Sequence, residues 1–176
     1  YYKFFFPYAS SIILDSAVAQ KSLNKSLGSN FSSKIIQFGI DLEIFNCQIE
    51  FGRARKKIGI GKKPMVLHTR GPGKIYNLIT ILKSIPIITK RFPEITFVFT
   101  FNEDDLDLDC KNFIKSKKLN QNLKFIGRIN HESEMKFFCR DADLMVSIPL
   151  SDSSPFSVYE SMAVKTPVIA SMLPWI

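Results

Sequence analysis

From Pro64 onward the chain can fold in few ways. Short apolar runs rich in β-branched and aromatic residues fall at 65–69, 95–101, 123–126, 144–148 and 168–170. Between them lie segments with helical spacing at 77–91, 108–118, 131–142 and 155–165. In the first, Leu78, Ile81, Leu82, Ile85 and Ile88 recur at the helical period, and Pro86 is expected to kink it. Asn130 stands where a cap for the third is expected, with Glu132 and Glu134 in its first turn. Strands that alternate with helices and carry no polar face predict an α/β fold, a parallel sheet with helices on both faces. Ligands of such sheets bind at the carboxyl ends of the strands. Arg70, Asn102, Arg128 and Asp152 each follow a predicted strand and are expected to share that edge.

The first third of the chain reads differently. A strand is expected at 11–14, a helix at 17–27 stopped by Gly28, and a strand at 34–38 ended by Gly39. Residues 51–63 then look like a linker, with Gly52, Gly59 and Gly61 and the cations Arg53, Arg55, Lys56, Lys57, Lys62 and Lys63. Residues 1–75 hold 12 Lys and Arg against 4 Asp and Glu, whereas residues 76–176 hold 12 against 12. The net charge of +8 therefore belongs to the first part. Such a run is either a solvated linker or a surface for an anionic membrane. Aromatics do not interleave with it, so no nucleic-acid partner is expected. Three widely spaced cysteines, Cys47, Cys110 and Cys139, suggest neither a disulfide framework nor a zinc site, and fit a reducing, cytoplasmic setting. Phe4-Phe5-Phe6 is apolar but far too short to span a bilayer. The ends, Tyr1 and the Pro174-Trp175-Ile176 stretch, read as cut from a longer protein.

Chemistry concentrates between Asp152 and Glu160. Ser153 or Ser154 can cap a helix, and Pro155 suits its first turn. The N–H groups of Phe156, Ser157 and Val158 are then expected to lack intrahelical partners and to face an anion. Glu160 shares a helix face with Ser157 and could accept from a ribose diol, while Asp152 could reach sugar hydroxyls. Alone, the same residues also describe a capped, solvated helix start. Asp105, Asp107 and Asp109 imitate a calcium loop but lack its glycine and closing glutamate, and are expected to be a solvated acidic loop. His68 reads as a core histidine and His131 as part of a helix start. Gly71-Pro72-Gly73 is a turn and not a dinucleotide fingerprint.

The run Ile148-Pro-Leu-Ser-Asp-Ser-Ser-Pro-Phe-Ser-Val-Tyr-Glu-Ser-Met-Ala, with Thr166-Pro-Val-Ile-Ala-Ser171, resembles the donor-site signature of family 4 glycosyltransferases. Asp152 stands where that signature usually has Glu, and Lys165-Thr166 where Gly is common. Gly39-Ile40-Asp41 with Phe45, and the stretch from Phe125 to Asp143, are similar to further parts of the family. The resemblance implies the GT-B architecture of two Rossmann-like domains. It assigns 1–50 to the end of the N-terminal (acceptor) domain, 51–63 to a basic linker and 64–176 to a nucleotide-sugar donor domain.

It further implies a retaining transferase that uses a nucleotide diphosphate sugar as substrate, with no metal or other cofactor. Arg70 and Lys74 would meet the diphosphate, Arg128 and Ile129 would border the base, Glu160 would hold the ribose and Asp152 the sugar. The acceptor, a glycan, lipid-linked or small molecule, is left open, and the chain alone is expected to be inactive. The remaining alternative is a non-catalytic nucleotide-sugar-binding or scaffold domain with a lapsed site.

Overall fold

The computed structural model describes residues 6–27 and 32–173. The expected stop at Gly28, the Phe4-Phe5 pair and the Pro174-Trp175-Ile176 stretch lie outside them. The chain divides into two compact units: 1–39 with 151–156 and 172–176, and 40–150 with 157–171.

In the first unit, β1 (Ile12–Leu14) and β2 (Ser33–Ile35) pair in parallel, joined by α1 (Ala17–Leu27). Ser16 starts α1, its Oγ accepting from Ala19 N–H at 3.2 Å. β2 was expected to continue to Phe38. It stops at Ile35 because its partner β1 ends at Leu14, whose carbonyl takes the last bond, from Ile36 N–H at 2.8 Å.

The first helix of the second unit is α2 (Arg53–Ile58), in the stretch 51–63 expected to be a linker. Arg, Ala and Lys favour a helix by propensity, but six residues between two glycines are too few to hold one alone. A buried acid from far along the chain holds it. The Asp141 carboxylate accepts from Gly52 N–H at 2.6 Å, Ala54 N–H at 2.7 Å and Arg55 N–H at 3.0 Å. These are donors that a helix start leaves without intrahelical partners. Arg55, 6% exposed, donates to Asp141 O, Gly61 O, Lys63 O and, at 2.7 Å, to Asp143 Oδ2. The cations of this segment are thus unequal: Arg55 is a core residue, Lys57 bonds Glu134, and Lys56, Lys62 and Lys63 are exposed.

The parallel sheet follows in the order β5-β4-β3-β6-β7. Its strands are β3 (Met65–His68), β4 (Thr96–Phe99), β5 (Leu123–Phe125), β6 (Leu144–Ser147) and β7 (Val168–Ala170). β3 and β4 are buried at every position, which is why they read as unbroken apolar runs. On one face α3 (Leu78–Ile88) and α4 (Leu108–Lys117) bury Leu82, Ile85 and Ile114 against Val66, Phe97 and Phe99. On the other, α2 and α5 (Lys136–Asp141) bury Ala54 and Phe138 against Met65, Leu67 and Val98. The last helix, α6 (Phe156–Ala163), leads into β7.

The helices are shorter than their patterns suggested. Asn77 takes φ 55°, so α3 begins at Leu78, and it closes two residues after Pro86. α4 stops at Lys117 because Lys118 turns left-handed at φ 53°. The segment from His131 is capped by Asn130, as expected, its side chain accepting from Ser133 N–H at 2.9 Å. Its first turn, His131–Met135, is nonetheless a wider π turn that precedes α5. The acidic loop caps helices: Asp107 Oδ1 accepts from Cys110 N–H at 2.8 Å, and that bond is the main reason its carboxyl titrates low.

Candidate functional site

Parallel strands place their carboxyl ends on one edge, and the strand order reverses between β3 and β6. That reversal is the switch point where open α/β sheets bind ligands. The two loops leaving it are tied together, Leu150 N–H donating to Ile75 O at 2.8 Å. Arg70, two residues past the end of β3, is half-buried with its guanidinium 5.1 Å from the Tyr76 ring. Lys74 opens a 3-10 turn and is exposed. It lines a cavity of ≈ 240 Å³ with Pro72, Asn77 and Asp107. After β5, Gly127 turns the chain at φ 70°. A Cβ there would lie 2.9 Å from Asn102 Oδ1, so the route to Arg128 and Ile129 depends on glycine. Arg128 is exposed and Ile129 packs against the second core.

α6 carries the rest of the second unit's candidates. Ser157, Val158 and Glu160 are 7%, 5% and 4% exposed. The shared burial of Ser157 and Glu160 follows from their i, i+3 spacing. A carboxylate so buried needs hydrogen-bond partners. Glu160 has one that the sequence reading did not foresee. His131 Nε2 lies 2.6 Å from Glu160 Oε1, and since a carboxylate only accepts, the ring nitrogen is the donor. Asn130 was legible as a cap, but nothing local pointed from His131 to an acid 29 positions away.

The first half of the motif belongs to the first unit. Asp152 Oδ1 accepts from Ser153 N–H at 2.9 Å, and Ser153 Oγ donates to Asp15 Oδ2 at 2.6 Å. The Ser153 hydroxyl proton is therefore committed to Asp15. Pro155 is buried just before the helix, which starts one residue later than expected, at Phe156. The Phe156 N–H was expected to be open to an anion. It donates instead to Ser154 O at 3.1 Å, while the ring packs on Phe38 at 5.2 Å between centroids. The other first-turn N–H groups are those of Ser157 and Val158.

His68 is a core histidine, as read. It is 1% exposed, its Nδ1 lies 2.9 Å from Val146 O, and burial pulls its pKa down to about 4. Among the described residues, no three His, Cys, Asp or Glu side chains gather as a metal site would require. Among the same residues no helix is long and apolar enough to cross a membrane.

Comparisons with known proteins agree with this architecture. Alr3699/HepE of Anabaena, solved in complex with UDP and glucose, superposes with a TM-score of 0.79 at 17% identity, over 95% of this chain and 46% of that one. Sucrose-phosphate synthase of Thermosynechococcus elongatus gives 0.80 at 19% identity, over 98% and 43%. A glycosyltransferase of Rickettsia africae gives 0.81 at 13% identity, over 95% and 45%. The chain thus spans less than half the length of these structures, and at such identities the likeness is one of fold. No curated protein matches by sequence. The family model described as Glycosyl transferases group 1 matches residues 50–174, which takes in both the sheet and the Asp152–Glu160 motif. The chain belongs to the glycosyl transferases group 1 family.

Proposed function

We propose that the protein takes part in retaining transfer of a sugar from a nucleotide diphosphate sugar, in the manner of family 4 glycosyltransferases, without a metal. The observation that carries this reading is Glu160, a carboxylate 4% exposed on the helix that follows the sheet's switch point. In this reading Glu160 accepts from the ribose hydroxyls. Arg70 and the first-turn N–H groups of Ser157 and Val158 meet the diphosphate, with Lys74 bordering it. The leaving nucleoside diphosphate gains negative charge as the glycosidic bond breaks, and fixed cations and N–H dipoles stabilise that charge without reorganising. Arg128 and Ile129 border the base. Asp152 and its neighbours Ser153, Ser154, Pro155 and Phe156 form the sugar end. The acceptor is a glycan, a lipid-linked sugar or a small molecule. The complexes of Alr3699/HepE with UDP and glucose and with UDP-glucose support a donor of this chemical kind.

Calorimetric titration with a panel of nucleotide diphosphate sugars, on wild type and Glu160→Ala, tests the reading. A hydrogen bond to a charged acceptor contributes about 1.5–3 kcal/mol, so affinity for the best donor should fall about 10- to 100-fold. Unchanged affinity would remove Glu160 from the donor site. We extend the reading to a peripheral contact with anionic membrane in the cytoplasm, because exposed Arg53, Lys56, Lys62 and Lys63 lie close in sequence to exposed Phe51. Sedimentation with phosphatidylserine vesicles should carry the protein down at low salt and release it at high salt. Equal recovery with neutral vesicles would dismiss that contact.

A further inference from the structure

The bond between His131 and Glu160 gives the imidazole a task that helix capping does not explain. The His131 side chain is 59% exposed, yet its Nε2 reaches the buried side chain of Glu160. The ring is braced on two sides. Asn130 fixes the turn that His131 opens. The Phe45 ring lies 5.5 Å from it, centroid to centroid, and Phe45 is 2% exposed. Phe45 is itself presented by a tight turn at Asp41. There the carboxylate accepts from Glu43 N–H at 2.8 Å, and Phe45 N–H donates to the Asp41 carbonyl at 2.8 Å. A chain of defined contacts therefore runs from Asp41 through Phe45 and His131 to one oxygen of Glu160.

We propose that His131 is a positioning residue for the ribose of the donor. It occupies Glu160 Oε1, fixes the plane of the carboxylate, and leaves Oε2 directed to accept from the diol. An ionised carboxylate has about four lone-pair sites, so one donor does not exhaust it. Without the ring, Glu160 loses the partner that sets its orientation. This inference rests on the reading of Glu160 as the ribose-binding acid.

A ligand cycle tests it. UDP, GDP and ADP are titrated calorimetrically, and the tightest is compared with its 2′,3′-dideoxy counterpart on wild type, His131→Ala, His131→Gln and Glu160→Ala. His131→Ala should weaken the ribonucleotide about tenfold, the loss of roughly one oriented hydrogen bond. It should change affinity for the dideoxy ligand less than about twofold, since that ligand has no diol to misplace. His131→Gln, whose amide can still donate, should recover most of the loss. Equal losses for both ligands would make His131 a merely structural residue and overturn the inference. So would intact ribonucleotide binding in His131→Ala while Glu160→Ala is impaired. Intact binding in Glu160→Ala would mark a different failure, that of the ribose reading itself, and the inference would fall with it.

Discussion

Asp141→Ala should be the most damaging single truncation in the second unit outside the apolar core. The acid is fully buried and accepts three backbone N–H bonds at 2.6, 2.7 and 3.0 Å. Taken singly, hydrogen bonds to a charged acceptor contribute about 1.5–3 kcal/mol each. A plain sum overstates the loss, because one carboxylate serves all three and Gly52 is partly open to water. Leaving a buried N–H without an acceptor costs about 1–3 kcal/mol, and the N–H groups of Ala54 and Arg55 are the two buried donors. Arg55 keeps its bond to Asp143 at 2.7 Å, so no guanidinium is orphaned. For the two buried donors together we therefore expect about 3–4 kcal/mol. For a chain of this size about 1 kcal/mol moves Tm by about 2–4 °C, so the variant should melt about 6–16 °C lower. Asn at the same position keeps one acceptor oxygen and should lose about half as much. Thermal denaturation measures the total, and amide hydrogen exchange at residues 52–55 localises it. A loss under about 1 kcal/mol with unchanged exchange there would mean that packing alone, and not Asp141, holds α2.

Two further outcomes are expected. Burial lowers the His68 pKa from 6.5 to about 4, so between those values the unfolded chain binds more protons than the folded one. Stability should then rise with pH across that window and fall on acidification, by about 3 kcal/mol in all. Urea unfolding at several pH values should show this slope in wild type and a shallower one in His68→Gln; equal slopes would refute the assignment. Cys47 is exposed, whereas burial pushes the Cys110 and Cys139 thiols up to about 12. A maleimide at neutral pH should therefore label one thiol per folded chain, and none in Cys47→Ser until denaturant is added. Fast labelling of two or three thiols would contradict that burial.

The α/β alternation was legible because β3 and β4 are buried throughout and α3 buries one stripe. Their periods survive in sequence as unbroken apolar runs and as the Leu78, Ile81, Leu82, Ile85 series. α2 was not legible, because its stability is written at Asp141 and Asp143. Read locally, Arg53 to Ile58 between two glycines is a linker. The glycine that suggested a linker, Gly59, in fact closes the helix at φ 68°. In the candidate site, the helix after Pro155 and the shared face of Ser157 and Glu160 followed from spacing. Three features did not: the His131 bond to Glu160, the engagement of Ser153 with Asp15, and the local use of the Phe156 N–H. Each depends on where a distant segment or a single loop dihedral places a polar atom. No hydrophobic period encodes that.

The distance along the chain between α2 and Asp141 also sets an order in time. The three N–H groups of Gly52, Ala54 and Arg55 wait for an acceptor that lies 86 to 89 residues further on. At about 5–20 residues per second, a ribosome needs roughly 4–18 s to reach it. During that interval a segment with arginine or lysine at 53, 55, 56 and 57 is a nascent chain without its acid. Closing so long a loop is slow compared with forming a helix turn, so α2 joins the fold only after β5 and α5 have been made.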